Sequence, residues 1–337
     1  MKIISRRTAL AGAASTAALG LAAPRIARAA EFTMKWGHAM AASHPINTRG
    51  EEAMESVKRE SNGRLEVRVF PDNQLGGDND MTAQVRAGAL DLYTAAATSA
   101  GTIVPLAGIV NTAFAFPDDT KAWEAMDGDL GKHVIAAFAR LNFYVFDKMW
   151  ANGFRQITTA TKPINAPADL VNFKIRVPTS PMLLSLFKSL GASPVSMNVS
   201  ELYTALQTKV VDGQENPLSI IATRNFNEVQ KFCATTNHVW DNFVQVANMN
   251  SWKSIPADLQ AILSRNFASA ALKQRDDVQA LNSSLQKTLE SKGLTFNKPD
   301  PAPFREALRK AGYYAQWQKS YGPEAWAALE KYSGKLA

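Results

Sequence analysis

NGFRQITTATKPINAPADLVNFKIRVPTSPMLLSLFKSLGASPVSMNVSELYTALQTKVVDGQENPL, residues 152–218, carries the alternation that decides the fold. Phe173 to Val177 reads as a short strand stopped by Pro178, and Pro181 to Leu190 follows with helical spacing and ends at Gly191. Glu201 to Thr208 is a further helix, and Val210-Val211 begins a further strand. Strand, helix, helix and strand in quick succession predict α/β architecture with a largely parallel or mixed sheet. The same rhythm extends upstream. Thr33 to Ala39 reads as a strand, and His44-Pro45 opens a helix running to about Ser61, capped by Asn62-Gly63. Leu65 to Phe70 alternates apolar with charged residues, which is strand periodicity. Pro71-Asp72-Asn73 makes a turn, Asp78 to Arg86 a helix and Leu90 to Ala95 another strand.

Downstream, Phe243 to Asn250 reads as a strand, and Pro256 opens a long helix with Asp258 in its first turn, where the helix dipole favours an acid. Leu259, Leu263, Phe267, Ala271, Val278, Leu281, Leu285 and Leu289 form one apolar stripe that stops at Gly293. From Pro256 to Lys292 such a helix is roughly 55 Å long at 1.5 Å per residue, longer than one ordinary domain, so it should run alongside two. The chain of 337 residues is itself too long for a single typical core. The expected fold is therefore α/β and two-lobed, with mixed sheets flanked by helices and a long bracing helix near the C-terminus. Chain crossings are expected near Asn152 and Phe243. That places residues 30–152 plus about 243–280 in a first lobe, and 153–242 plus about 281–337, with the C-terminal helices, in a second.

The first residues describe an export signal. Lys2, Arg6 and Arg7 precede an uncharged, alanine-rich stretch from Thr8 to Ala23, and Ala27-Arg28-Ala29 reads as a cleavage site, so residues 1–29 are a signal and the mature chain begins at Ala30. The paired arginines and the mild hydrophobicity point to the twin-arginine route. With the signal's five cations removed, the formal charge falls from +7 to +2, which leaves no case for nucleic-acid or membrane binding. Cys233 is the only cysteine, so no intrachain disulfide forms and a large core must hold the fold.

Enzyme signals are missing. The chain has no G-x-S-x-G, G-x-G-x-x-G, Walker A or H-E-x-x-H pattern, and His38, His44, His133 and His238 lie in separate segments without metal-ligand spacing. Asp78-Asn79-Asp80 fails as a calcium loop, because Ala83 and Ala89 stand where Gly and Glu are needed. No enzyme activity, cofactor or metal site is expected. Two arginines remain. Arg155 lies in the aromatic and basic run Trp150 to Gln156, and Arg176 in the strand ended by Pro178. Each reads either as a solvated surface charge or as a ligand contact, because α/β folds build their crevices at strand ends and a guanidinium can grip a carboxylate with two hydrogen bonds.

The stretch quoted above resembles the signature region of the DctP-type substrate-binding proteins of TRAP transporters. The marks are N-G-F-R, P-I-N-x-x-x-D-L, K-I-R-V-P, G-A-x-P, E-x-Y-x-A-L-Q and V-D-G-x-E-N, in that order, with His44-Pro45, Gln74-Leu75-Gly76 and Phe116-Pro117 outside it. The resemblance implies two α/β lobes closing over one small organic acid, a periplasmic location, a monomer, and delivery of the ligand to sodium-driven membrane subunits. It also implies that Arg176 binds the ligand carboxylate, that Arg155 assists and that Asn216 adds a polar contact. Ala95-Ala96-Ala97-Thr98-Ser99 stands where sialic-acid-binding relatives carry a glutamate. Loss of that acceptor disfavours a polyhydroxylated sugar acid. Trp150, Phe154 and Trp240 are candidates for an apolar wall around a C4-dicarboxylate, a 2-oxo acid or an aromatic acid. A ligand-binding component of a membrane sensor, or an exported enzyme, is the alternative.

Overall fold

The computed structural model describes residues 29–336, so all of the expected signal except Ala29 lies outside the described residues. Ten strands form one hydrogen-bonded sheet: β1 (Phe32–His38), β2 (Leu65–Phe70), β3 (Leu92–Ala96), β4 (Phe143–Val145), β5 (Trp150–Thr159), β6 (Lys174–Val177), β7 (Ser193–Ser196), β8 (Gly213–Asn216), β9 (Phe232–Asn248) and β10 (Thr295–Asn297). The order is β2-β1-β3-β9-β5-β8-β6-β7, with β4 and β10 also paired to β9. Where separate mixed sheets were expected, the two halves share one ladder, because β5 and β9 are long enough to serve both.

Each half repeats one scheme. β2-β1-β3 are parallel and meet β9 antiparallel, while β7-β6-β8 are parallel and meet β5 antiparallel. The expected α/β, two-lobed fold is met in this form. β9 is 17 residues long and begins eleven residues before the strand expected at Phe243. The sequence hides this part because Thr236, His238, Asp241 and Asn242 are all buried, so polar side chains occupy positions that alternation would assign to solvent. Where the two long strands cross between halves their ladder breaks twice. At the second break Thr235 to His238 of β9 stand opposite Gln156 alone.

Local signals otherwise hold. Helix Pro45–Glu60 starts where His44 Nδ1 accepts the Ile46 N–H, and Asn62 and Gly63 both take positive φ after it. The long helix runs Ala257–Ser291 and packs against helix Pro45–Glu60, β5, helix Leu218–Thr223 and β10, so it braces both halves. Seven of the eight stripe residues are buried, Leu281 being half-buried. The C-terminal helices touch both halves as well: Pro301–Lys310 and Tyr313–Tyr321 lie on helix Pro181–Ser189, and Pro323–Ser333 lies on Asp119–Met126 and Asp129–Ala139. Among the described residues no helix is long and apolar enough to cross a membrane.

Candidate ligand-binding cleft

Parallel strands in α/β sheets present ligand crevices at their carboxyl ends. Here both triads aim those ends at one place. Ala39 and Met40 follow β1, Ala96 ends β3, Arg176 and Pro178 end β6, and Asn216 ends β8; with Asp78, Asn152, Arg155 and Phe243 they line one narrow cleft. The walls meet at the mouth. Gly77 begins helix Asp78–Ala87 on one side, and a Cβ added to it would lie 2.5 Å from Asn198 Oδ1, the residue that begins helix Val199–Gln207 on the other. Any side chain at position 77 would have to push the Asn198 amide aside.

Arg176 is 1% exposed. Its Nε and Nη2 donate to the Met197 carbonyl at 3.0 and 2.7 Å, and among the described residues no carboxylate lies within 4.0 Å of it. Burial therefore pulls its pKa down to about 10, with Glu215 only partly offsetting the desolvation. Arg155 is buried as deeply but has most of its donors engaged. Nε and Nη2 grip Glu215 at 2.5 and 2.8 Å, Nη1 reaches Asp241 Oδ2 at 3.1 Å, and Nη2 also donates to Asn216 Oδ1 at 3.1 Å. Desolvation alone would lower its pKa; the two carboxylates outweigh it and raise it. Asp241 is further held by Asn111, Asn152 and Thr98, yet burial still moves its pKa upward. His238 completes the cluster. Burial lowers its pKa, which favours neutral imidazole, so Nε2–H donates to Glu215 at 3.2 Å and Nδ1 accepts from Thr236 at 2.8 Å.

The six residues picked from sequence divide evenly. Arg176, Arg155 and Asn216 line the cleft together. Trp150, Phe154 and Trp240 do not line it. Trp150 packs edge-on against Trp36 and Phe267 in the core, Trp240 sits against Trp123 and Phe116 with Nε1 donating to Asp119, and Phe154, half-buried, faces the core from β5. Trp150 and Arg155 lie five positions apart in β5 with a break in the ladder between them, so simple alternation does not tell whether they share a face. The apolar wall comes instead from Met40, Pro178, Val199, Ile220 and Phe243.

Asp78 was missed. It begins its helix at the cleft, where Oδ1 accepts from Tyr93 and Oδ2 from Ser99. Only its failure as a calcium ligand was legible; the neighbouring Gln74-Leu75-Gly76 mark was the available signal. It puts a carboxylate into the cleft lining from an element other than the Ala95–Ser99 loop. Among the described residues no three His, Cys, Asp or Glu side chains are arranged to hold a metal ion.

Two α/β halves joined by shared strands, enclosing a buried cation at the carboxyl ends of both triads, define a two-lobed binding protein. Residues 36–319 match the model of the DctP family, bacterial extracellular solute-binding protein, family 7, and the chain belongs to that family. It is 30% identical to the C4-dicarboxylate-binding periplasmic protein DctP of Rhodobacter capsulatus over 78% of each chain. A TRAP periplasmic solute-binding protein of Sulfurospirillum deleyianum with bound succinate superposes with a TM-score of 0.84 at 27% identity, covering 90% of this chain and 99% of that one. A further such protein, from Desulfovibrio salexigens with bound orotic acid, superposes with a TM-score of 0.82 at 28% identity, covering 91% and 100%.

Proposed function

We propose that this protein is the periplasmic substrate-binding subunit of a TRAP transporter, exported by the twin-arginine route, which captures a small organic acid as a monomer and delivers it to the membrane subunits. One observation carries the binding role: Arg176 is a buried guanidinium with no carboxylate within 4.0 Å among the described residues. An isolated buried charge costs several kcal/mol, and a ligand carboxylate removes most of that cost. Nη1 makes no bond to the protein among the described residues and is free to meet the ligand. Arg155 has most of its donors committed, so it adds field and one remaining N–H rather than a second clamp. Asn216 adds a polar contact.

The cleft's chemistry narrows the ligand. Asp78 opposes a second carboxylate nearby and favours a hydroxyl or another donor, while Met40, Ile220 and Phe243 favour a short carbon skeleton. A compact hydroxy or oxo monocarboxylic acid fits this set better than a dicarboxylate. A thermal-shift screen of short organic acids tests it. A ligand at about 100 times its Kd adds roughly 2.7 kcal/mol of stability, and the shift should vanish in Arg176→Ala. Shifts that persist in that variant, or a preference for dicarboxylates over hydroxy acids, would overturn the proposal.

A further inference from the structure

A second cavity, open to solvent and roomier than the cleft, shares no lining residue with it. Its floor is the bulge of β9, where Thr235, Thr236 and Asn237 leave the ladder opposite Gln156. Gln156 fills the gap, donating from Nε2 to Asn237 Oδ1 at 2.6 Å and accepting the Asn237 N–H at 3.1 Å. One wall, Phe114 to Pro117, follows the turn Pro105–Asn111; the other, Lys298 to Arg305, follows β10.

Three features set this cavity apart from an incidental surface dent. The first is strain: Asn237 and Phe114 have φ of 46° and 51°. Asparagine tolerates that region, but a bulky phenylalanine does not, and such outliers persist only where surrounding structure holds them. Phe114 is held by its N–H bond to the His238 carbonyl at 2.9 Å. The second is charge. Lys298 and Arg305 both line the cavity, and neither pairs with an acid among the described residues. Aromatic faces of Phe116 and Tyr332 stand beside them. The third is connection. Thr236 donates to His238, His238 donates to Glu215, and Glu215 holds Arg155 at the cleft.

We infer that this cavity is a second ligand site, which takes a small amphipathic carboxylate and is coupled to the cleft through Thr236, His238 and Glu215. The two cations receive the carboxylate, and the aromatic and proline walls cover its apolar end. Because the walls belong to different halves and the floor is the hinge, any change in lobe angle alters the cavity. Binding at either place must then affect the other by the same factor.

The test uses phenylacetate as probe on isotope-labelled Arg176→Ala protein, so that the cleft's own anchor is removed and failure of the cleft proposal cannot mimic failure here. Saturable amide shifts are expected at Thr235 to Asn237 and at Glu215. Combining Lys298→Ala with Arg305→Ala should weaken binding about tenfold, since both charges are partly solvated. Inorganic phosphate should bind more weakly than phenylacetate. Thr236→Val should keep the shifts at Asn237 and abolish those at Glu215. No saturable shift at the bulge, or none lost in the double variant, overturns the site. Equal binding of phosphate overturns the amphipathic class, and Glu215 shifts that survive Thr236→Val overturn the relay.

Discussion

Arg155 and Arg176 are the same residue, buried to the same degree within one cleft, and they solve the cost of burial in opposite ways. Arg155 is enclosed by Glu215 and Asp241, two acids from neighbouring strands, and its charge is settled before any ligand arrives. Arg176 has only the Met197 carbonyl, a dipole where a charge is needed. The first arrangement stabilises the crossing of β5, β8 and β9. The second stores an unmet electrostatic demand at the end of β6, which an anion can satisfy. A buried charge with protein partners is held within the fold, and one without them is where the proposed ligand carboxylate would sit.

The comparison breaks most readily at Glu215. Glu215→Ala strands Arg155 beside a single acid, and unfolding free energy should fall by about 3–5 kcal/mol in chemical denaturation. A loss under about 1 kcal/mol would mean the cluster does not hold the hinge. Arg176→Ala should behave inversely. Affinity for the acid identified by thermal screening should drop about 30- to 3000-fold in calorimetric titration, from about 2–5 kcal/mol lost with one partner of a buried pair. The ligand-free protein should be no less stable, because an uncompensated charge has been removed. Arg155→Ala should instead cost stability first, leaving Glu215 and Asp241 buried without their cation.

Closure sharpens the contrast further. Gly77→Val places a side chain against Asn198 and should prop the mouth open, so that Arg176 stays hydrated and affinity falls about tenfold, roughly 1.4 kcal/mol, with little change in stability. Small-angle scattering should show the variant failing to compact with ligand; normal compaction would show that the contact is not part of closure.

The smallest effect is in pH. Burial holds the His238 pKa below its ordinary value, so the unfolded chain takes up that proton first as pH falls. Stability present above about pH 6.5 is therefore lost on acidification, by at most about 1.4 kcal/mol per pH unit for one group. His38 and His44, at about 4 and about 3, add to the same slope. His238→Gln should flatten it by up to one proton in denaturation measured between pH 6.5 and 4, and Arg176→Ala should leave it unchanged. An unaltered slope in His238→Gln would place the titration elsewhere.

Much of this architecture was legible in the sequence because its signals are local. The spacing from Leu259 to Leu289 needs only one helix to bury, and Asn62-Gly63, Gly191 and Pro178 end their elements through backbone sterics alone. Arg176 at a strand end beside proline, and the ordered marks from Asn152 to Leu218, brought three cleft residues into view. What the sequence could not show depends on partners distant along the chain. The polar face of β9 breaks hydrophobic alternation because its buried Asp241 and His238 are satisfied by Arg155 and Glu215. Trp150 and Trp240 carry no local mark separating a core ring from a cleft wall; that is decided by which strand face the ladder breaks leave them on. Asp78 entered the cleft only because its helix begins where the two halves meet. Composition and periodicity thus determined which elements form and where they stop. Tertiary structure alone decided which arginine has its charge answered by the protein and which does not, because that depends on acids 60 and 86 residues away in the chain for one, and on their absence within 4.0 Å among the described residues for the other.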